Sequence, residues 1–161
     1  EAGGRLVYGA GHAGLMGVLA DAVLAAGGHV TGVIPRHLMA RERGHQGLST
    51  LHVVDGMHAR KRKMFELADG FAVLPGGVGT LDETFEIITW KQLGLHDKPI
   101  VIVDADGYWS KLDSLIGDMV ADGFAGREIR ALYTMVGSVE DVLDVLARLP
   151  ASTIHTDPTR L

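Results

Sequence analysis

The sequence predicts an α/β fold of the Rossmann type, a doubly wound parallel sheet with helices on both faces, and three observations carry that expectation. Short apolar runs rich in Val and Ile alternate with longer stretches of helical periodicity. Turns of glycine or small polar residues punctuate the alternation. The runs are apolar almost throughout, as expected of strands covered on both sides by the helices of right-handed βαβ crossovers.

The elements follow in order. Leu6-Val7-Tyr8 is a short strand that enters Gly9-Ala10-Gly11-His12-Ala13-Gly14, after which Leu15, Val18, Leu19, Ala22, Val23 and Ala26 recur at helical spacing; Gly27-Gly28 ends that helix. His29 to Ile34 is the next strand, closed by Pro35, and the polar stretch Arg36 to Ser49 reads as a loop with a helical turn. Leu51 to Val54 is a strand. Met57 to Ala68 reads as a helix with Met57, Met64 and Leu67 near one side and Arg60, Lys61, Arg62 and Lys63 between them. Gly70 to Leu74 is a buried strand, and a helix runs from about Thr80, its expected cap, to Leu93 with Leu81, Phe85 and Ile88 as the apolar stripe. Pro99 to Val103 is a strand, Tyr108 to Ala121 a helix, Leu132 to Val136 a short strand, and Ser138 to Leu149 a final helix with Ser138 as cap. No repeat or linker divides the chain. One domain over residues 1–161 is expected, with a flexible tail after Pro150.

Composition narrows the function. The 161 residues suffice for one buried core, and an apolar fraction of 47% with 22 glycines suits a turn-rich α/β enzyme. With 15 Lys and Arg against 20 Asp and Glu the net charge is −5, so no overall basic field recruits nucleic acid. Cys is absent from these residues, which excludes thiol catalysis and thiolate metal sites within them and fits a reducing, cytoplasmic setting. No apolar run approaches the ~20 residues that span a bilayer, so no membrane partner is expected. The eight His residues show no metal-ligand spacing, and no metal site is expected.

The most informative stretch is Pro75-Gly76-Gly77-Val78-Gly79-Thr80-Leu81-Asp82-Glu83. It places a glycine turn at the carboxyl end of a strand, where open α/β sheets bind ligands, and a helix start whose amides and dipole favour an anion. Thr80 can add its hydroxyl, and Glu83, one turn into the helix, would face the sugar of a phosphorylated ligand. An ordinary strand-to-helix turn with a dipole-favoured acid is the plainer alternative. Gly9-x-Gly11-x-x-Gly14 matches the dinucleotide fingerprint, but the strand ending Val33-Ile34-Pro35-Arg36 offers no carboxylate for a ribose. Arg36 could meet a 2′-phosphate instead, so an NADP-binding oxidoreductase stays open. No Lys-Ser or Lys-Thr pair follows either turn, which argues against ATP hydrolysis. Two such turns suit a ligand with a single phosphate and a sugar.

Arg60, in the first turn of its helix, falls at the ligand edge, where its planar guanidinium would meet a phosphate or carboxylate; Glu83 is the natural partner. Glu86 shares a face with Glu83 and is either structural or orients a partner. Two carboxylates so close on one helix would flank a glycosidic bond poorly, which leaves one catalytic carboxylate. Trp90 and Gln92-Leu93 serve either the core or a subunit interface.

Taken together these residues resemble the LONELY GUY phosphoribohydrolases, the cytokinin-activating family. The resemblance runs from about Leu6 to Val145. It rests on Gly14-Leu15-Met16-Gly17, Gly32-Val33-Ile34-Pro35, Met57-His58-x-Arg60-Lys61-x-x-Met64, Pro75-Gly76-Gly77-x-Gly79-Thr80-x-x-Glu83, and Thr89-Trp90-x-Gln92-Leu93-Gly94 with Lys98-Pro99. It implies hydrolysis of the N-glycosidic bond of a nucleoside 5′-monophosphate, typically an N6-modified AMP, with no cofactor. It implies Arg60 and Glu83 as the catalytic pair and Gly76, Gly77, Val78, Gly79 and Thr80 as the phosphate cradle. Gly11, Gly14, Glu42, Lys61, Glu86 and Thr89 fall at positions of further substrate contacts, and a homodimer is expected. A non-catalytic nucleotide or molybdenum-cofactor carrier could use the same cradle. The resemblance also implies a strand, a Gly-Ser-rich turn and a helix ahead of Arg5; the sequence is either a truncated form of a longer protein or a remnant, and only if that unit were truly absent would an exposed sheet edge be expected.

Overall fold

The computed structural model describes residues 3–39, 45 and 47–148. The chain divides between Ala68 and Asp69 into two compact units. No helix among the described residues is long and apolar enough to cross a membrane.

The first unit holds β1 (Arg5–Tyr8), α1 (Gly14–Ala25), β2 (His29–Pro35), a single 3-10 turn (Arg36–Leu38), β3 (Thr50–Val54) and α2 (Met57–Leu67). Its strands form a parallel sheet in the order β1-β2-β3, with Leu6 opposite Val30 and Gly32 opposite Leu51. The central strand β2 is buried from Val30 to Pro35, which explains its unbroken apolar run. Val23, Leu24 and Ala20 of α1 pack on Leu6, Tyr8 and Val30, and α2 packs against β2 and β1. α1 stops at Gly27, whose φ of +77° allows its N–H to bond the Leu24 carbonyl and the Gly28 N–H to bond that of Val23.

The second unit holds β4 (Phe71–Val73), α3 (Val78–Gln92), β5 (Ile100–Val103), a 3-10 turn (Ala105–Gly107), α4 (Ser110–Ala121), a second 3-10 segment (Arg127–Ala131), β6 (Thr134–Val136) and α5 (Asp141–Arg148). The parallel order is β4-β5-β6, with Val73 opposite Ile102 and Ile102 opposite Met135. All of β5 is buried because alternate residues enter different cores. Ile100 and Ile102 meet Ile88 of α3 with Leu112 and Ile116 of α4, whereas Val101 and Val103 meet Val142, Val145 and Leu146 of α5. This unit therefore carries helices on both faces of its sheet, as a doubly wound fold requires.

The α/β class and the strand-helix alternation are those expected, with four local differences. The strands pair as two three-stranded sheets and not as one ladder. α3 begins at Val78, two residues early, because extended Gly77 takes the cap position and leaves Thr80 inside the helix. α4 begins at Ser110, not Tyr108, because Asp106 and Gly107 adopt positive φ values of 53° and 74°. Ser138 lies outside α5, and its hydroxyl donates to the Asp141 carboxylate at 2.9 Å. The expected flexible tail after Pro150 and most of the loop from Ala40 lie outside the described residues.

The link from α3 to β5 is closed by buried polar groups. Just beyond α3 the chain turns at Gly94, with φ +69°. His96 then accepts the Lys98 N–H on Nδ1 (3.1 Å) and turns Nε2 to the Ile87 carbonyl (2.8 Å), while the Lys91 ammonium donates to the Lys98 carbonyl (3.0 Å). With Nδ1 an acceptor, the ring proton lies on Nε2 and the imidazole is neutral. Burial, aided by the charges of Lys91 and Lys98, holds His96 below its ordinary pKa of 6.5. The unfolded chain binds this proton more readily than the folded one, so stability is complete above 6.5 and falls as the pH drops below it. Thermal melts between pH 8 and pH 5 are expected to show that fall, and His96→Gln should start lower at pH 8 and decline less steeply.

The glycines ahead of α3 divide by what surrounds them. A Cβ on Gly76 would lie 2.1 Å from Thr80 Oγ1, whereas one on Gly79 would meet nothing within 4 Å. Denaturant unfolding is expected to show Gly76→Ala losing about 1–3 kcal/mol through overpacking. Gly79→Ala should gain about 0.5–1 kcal/mol of helix stability.

Candidate functional site

In the second unit the site grows from the turn between β4 and α3. Gly77 caps α3 with extended backbone (φ −100°, ψ −155°), and no side-chain oxygen caps the helix. The Leu81 N–H returns to the Gly77 carbonyl at 3.1 Å, so the amides of Val78, Gly79 and Thr80 precede the helix's own acceptors. Val78 is 83% exposed, and side chains built at Gly77 or Gly79 would enter open space. The result is an accessible helix N-terminus that favours an anion through its amides and dipole.

Thr80 has a different part from the cap expected of it. Its hydroxyl lies directly against Gly76, where any side chain would collide with it, and its carbonyl accepts the Thr84 hydroxyl at 2.7 Å. Glu83 and Glu86 lie on the helical stripe of Gly79, at i+4 and i+7, and both are half-buried. Thr89, two turns further along α3, is exposed. Apolar Leu81, Phe85 and Ile88 face the core as expected.

In the first unit Arg60 stands in the first turn of α2, its N–H bonded to the Gly56 carbonyl at 3.0 Å. Its side chain is only 7% exposed, and Nη2 donates to the Gly9 carbonyl at 2.6 Å. A Cβ on Gly9 would lie 2.0 Å from that nitrogen. The first glycine of the fingerprint thus makes room for Arg60. The close packing that the fingerprint assigns to its third glycine occurs at Gly17, where a Cβ would lie 2.0 Å from the His12 carbonyl, and not at Gly14, where it would meet nothing. Gly14 serves the turn through its φ of +63°, and Gly11 is buried. Ala10 is fully buried with φ +62°, a conformation that costs a non-glycine residue about 1–2 kcal/mol.

Lys61 is half-buried beside Arg60 on α2, and Glu42 lies outside the described residues. Two features escaped the sequence. Tyr108, on the connection after β5, donates its hydroxyl to the Gly76 carbonyl at 2.6 Å. Buried His45 holds the Asp21 carboxylate at 2.7 Å and the Gly47 N–H at 3.1 Å, with the His12 ring edge-on at 4.8 Å. Neither pairing has a local spacing that would announce it.

His12, Asp21 and His45 offer ligand atoms within 4.8 Å of one another. A metal-bound imidazole usually donates through its other nitrogen, yet His45 Nδ1 accepts a hydrogen bond from the Gly47 N–H, which places the ring proton on Nε2, facing Asp21. The arrangement suits a hydrogen-bonded pair tying residue 45 to α1. Asp21 also adds to the effect of burial in raising the Tyr8 phenol to about 12, so Tyr8 stays neutral.

Comparison with known proteins places the chain. The model of a family described as "possible lysine decarboxylase" matches residues 16–146. The chain is 46% identical over 140 residues to a cytokinin riboside 5′-monophosphate phosphoribohydrolase of Rhodococcoides fascians, covering 86% of the chain and 71% of that protein. It is 46% identical over 143 residues to the protein of that name designated LOG in Oryza sativa subsp. japonica, covering 89% and 59%. A counterpart in Arabidopsis thaliana is 43% identical over 141 residues, covering 88% and 66%. The chain thus spans only part of each relative's length. On the extent of the family match and the level of these identities, the chain belongs to the LONELY GUY family.

Proposed function

We propose that this protein hydrolyses the N-glycosidic bond of N6-modified adenosine 5′-monophosphates, releasing the free base and ribose 5-phosphate. The observation that carries the proposal is the uncapped, glycine-lined start of α3 with the Glu83 carboxylate on the same helical stripe. From Val78 to Glu83 the helix rises about 7–8 Å, room for a sugar beyond a phosphate held at the amides. In this reading Gly76 to Thr80 take the 5′-phosphate and Glu83 attends the anomeric carbon.

As the bond from anomeric carbon to base nitrogen breaks, its electron pair leaves with the base and positive charge grows on the ribose. A carboxylate beside that carbon stabilises the oxocarbenium-like state and directs water to it. The water oxygen bonds the anomeric carbon, and the departing base ends protonated. Asp at 83 would sit a methylene too far back; Gln could neither balance the charge nor accept a proton. Arg60 is the second residue assigned to the reaction. Fixed on the Gly9 carbonyl, it offers a planar guanidinium to an anion. Gly11, Gly14, Glu42, Lys61, Glu86 and Thr89 are proposed as further substrate contacts. The protein is proposed to act as a cytoplasmic homodimer, and the exposed Leu93 and Leu95 beyond α3 offer apolar surface for association.

Decarboxylation through a lysine Schiff base fits the residues poorly. Lys91 is the one buried lysine among the described residues, and its ammonium is bound to the Lys98 carbonyl. It sits about 20 Å along α3 from the glycine turn.

Incubation with AMP and with isopentenyl-AMP should yield ribose 5-phosphate; binding without release of base would favour a carrier instead. Glu83→Gln is expected to slow turnover by about 10²-fold or more, the scale of removing a positioned base or electrostatic stabiliser. Near wild-type release of base by that variant would sink the assignment. Gly9→Ala should lower turnover together with Arg60→Ala and lower the melting temperature by a few degrees, because the new methyl would displace a buried guanidinium from its carbonyl acceptor.

A further inference from the structure

We propose that Tyr108 is a positioning residue for the phosphate cradle, holding the Gly76–Gly77 peptide so that the amides at the head of α3 stay turned toward a phosphate monoester. The proposal rests on the reading of that turn as the phosphate subsite. Its starting point is a side chain that faces solvent and is nonetheless fixed. Tyr108 is 52% exposed, yet its hydroxyl donates to the Gly76 carbonyl at 2.6 Å.

The connection bearing Tyr108 is built to keep it there. Asp104, directly after β5, donates its N–H to the Val136 carbonyl at 2.8 Å. Its carboxylate accepts the Trp109 N–H at 2.5 Å on one oxygen and the Ser110 hydroxyl at 2.8 Å on the other. Between them the left-handed residues Asp106 and Gly107 fold the chain back, and the Tyr108 N–H returns to the Ala105 carbonyl at 3.1 Å. Trp109, 4% exposed, anchors the segment in the core and meets the Tyr108 ring edge-on at 4.9 Å. The phenol is held by backbone, carboxylate and core together.

The effect on the cradle follows from peptide geometry. A trans peptide is planar with its C=O and N–H pointing opposite ways, so fixing the Gly76 carbonyl toward Tyr108 fixes the Gly77 N–H away from it. Both flanking residues are glycines. Gly76 must be one to admit Thr80, and Gly77 leaves the approach open. Such a pair otherwise lets the peptide rotate among several conformations. The Tyr108 hydrogen bond removes that freedom before the ligand arrives, which lowers the ordering cost of binding.

Tyr108→Phe keeps the ring and its contact with Trp109 and deletes only the hydroxyl. The variant should melt within about 2 °C of the wild type, since an exposed hydroxyl exchanges one partner for water. KM for a nucleoside 5′-monophosphate is expected to rise about fivefold with kcat within about twofold, the scale of one neutral hydrogen bond. Binding of inorganic phosphate and of ribose 5-phosphate, measured by calorimetry, should weaken by the same factor, while inhibition by free adenine stays as it was. Equal weakening for phosphate and adenine, unchanged phosphate binding, or a wild-type protein that binds no phosphate would each overturn the proposal. If the wild type releases no base from any nucleotide, the functional reading fails, and the phosphate titrations of the two proteins still decide the role of Tyr108.

Discussion

In each unit the strands run parallel, so every strand-to-helix turn of that unit opens at the same edge of its sheet, and the helix starts gathered there lack side-chain caps. Ala13, Gly56 and Gly77 hold the cap positions of α1, α2 and α3, none with a side-chain oxygen bonded to the helix amides. A Ser or Asp at such a position would stabilise a helix by about 1 kcal/mol. Forgoing it three times leaves the first amides of these helices with no capping side chain at the cap position. The start of α4 is served instead by both oxygens of Asp104, and the Trp109 amide is taken up by one of them.

Around these open amides the glycines divide their work. Gly9 and Gly76 are places where another residue's polar group presses on the main chain: the Arg60 guanidinium in one case, the Thr80 hydroxyl in the other. Gly77 and Gly79 keep the approach clear. The turn is thus held by close contacts on its inner side and open on its outer side, and the rigid inner side is what allows an outer side with so few atoms of its own to keep a shape. Arg60 follows the same logic. A guanidinium taken almost wholly out of water is costly to leave without acceptors, and the Gly9 carbonyl supplies one in a fixed direction.

The far end of α3 is arranged for stability. Lys91 and His96 are buried, bonded to main-chain carbonyls, and shifted by burial toward their neutral forms. These shifts accompany structural hydrogen bonds, while the α3 residues assigned to chemistry stand toward the opposite end of the helix. Titratable groups with displaced pKa values mark functional sites only where geometry also brings them to a cleft.

The order of elements, their helical or extended character and the glycine turn before α3 could be read from the residues alone. They depend on spacing within a few residues: the apolar period of α3, the unbroken run of β5, the glycines at chain reversals. Contacts between distant segments could not be read in this way. That Gly9 exists for Arg60, that Thr80 leans on Gly76 and leaves the cap to Gly77, that Tyr108 reaches the Gly76 carbonyl from 32 positions away, and that His45 pairs with Asp21 are consequences of packing. Local sequence sets which conformations a segment prefers, because those preferences are properties of a few adjacent dihedrals. Which side chain fills the space above a glycine is decided only when whole strands and helices are laid against one another, and at that level the tertiary structure chose the partners.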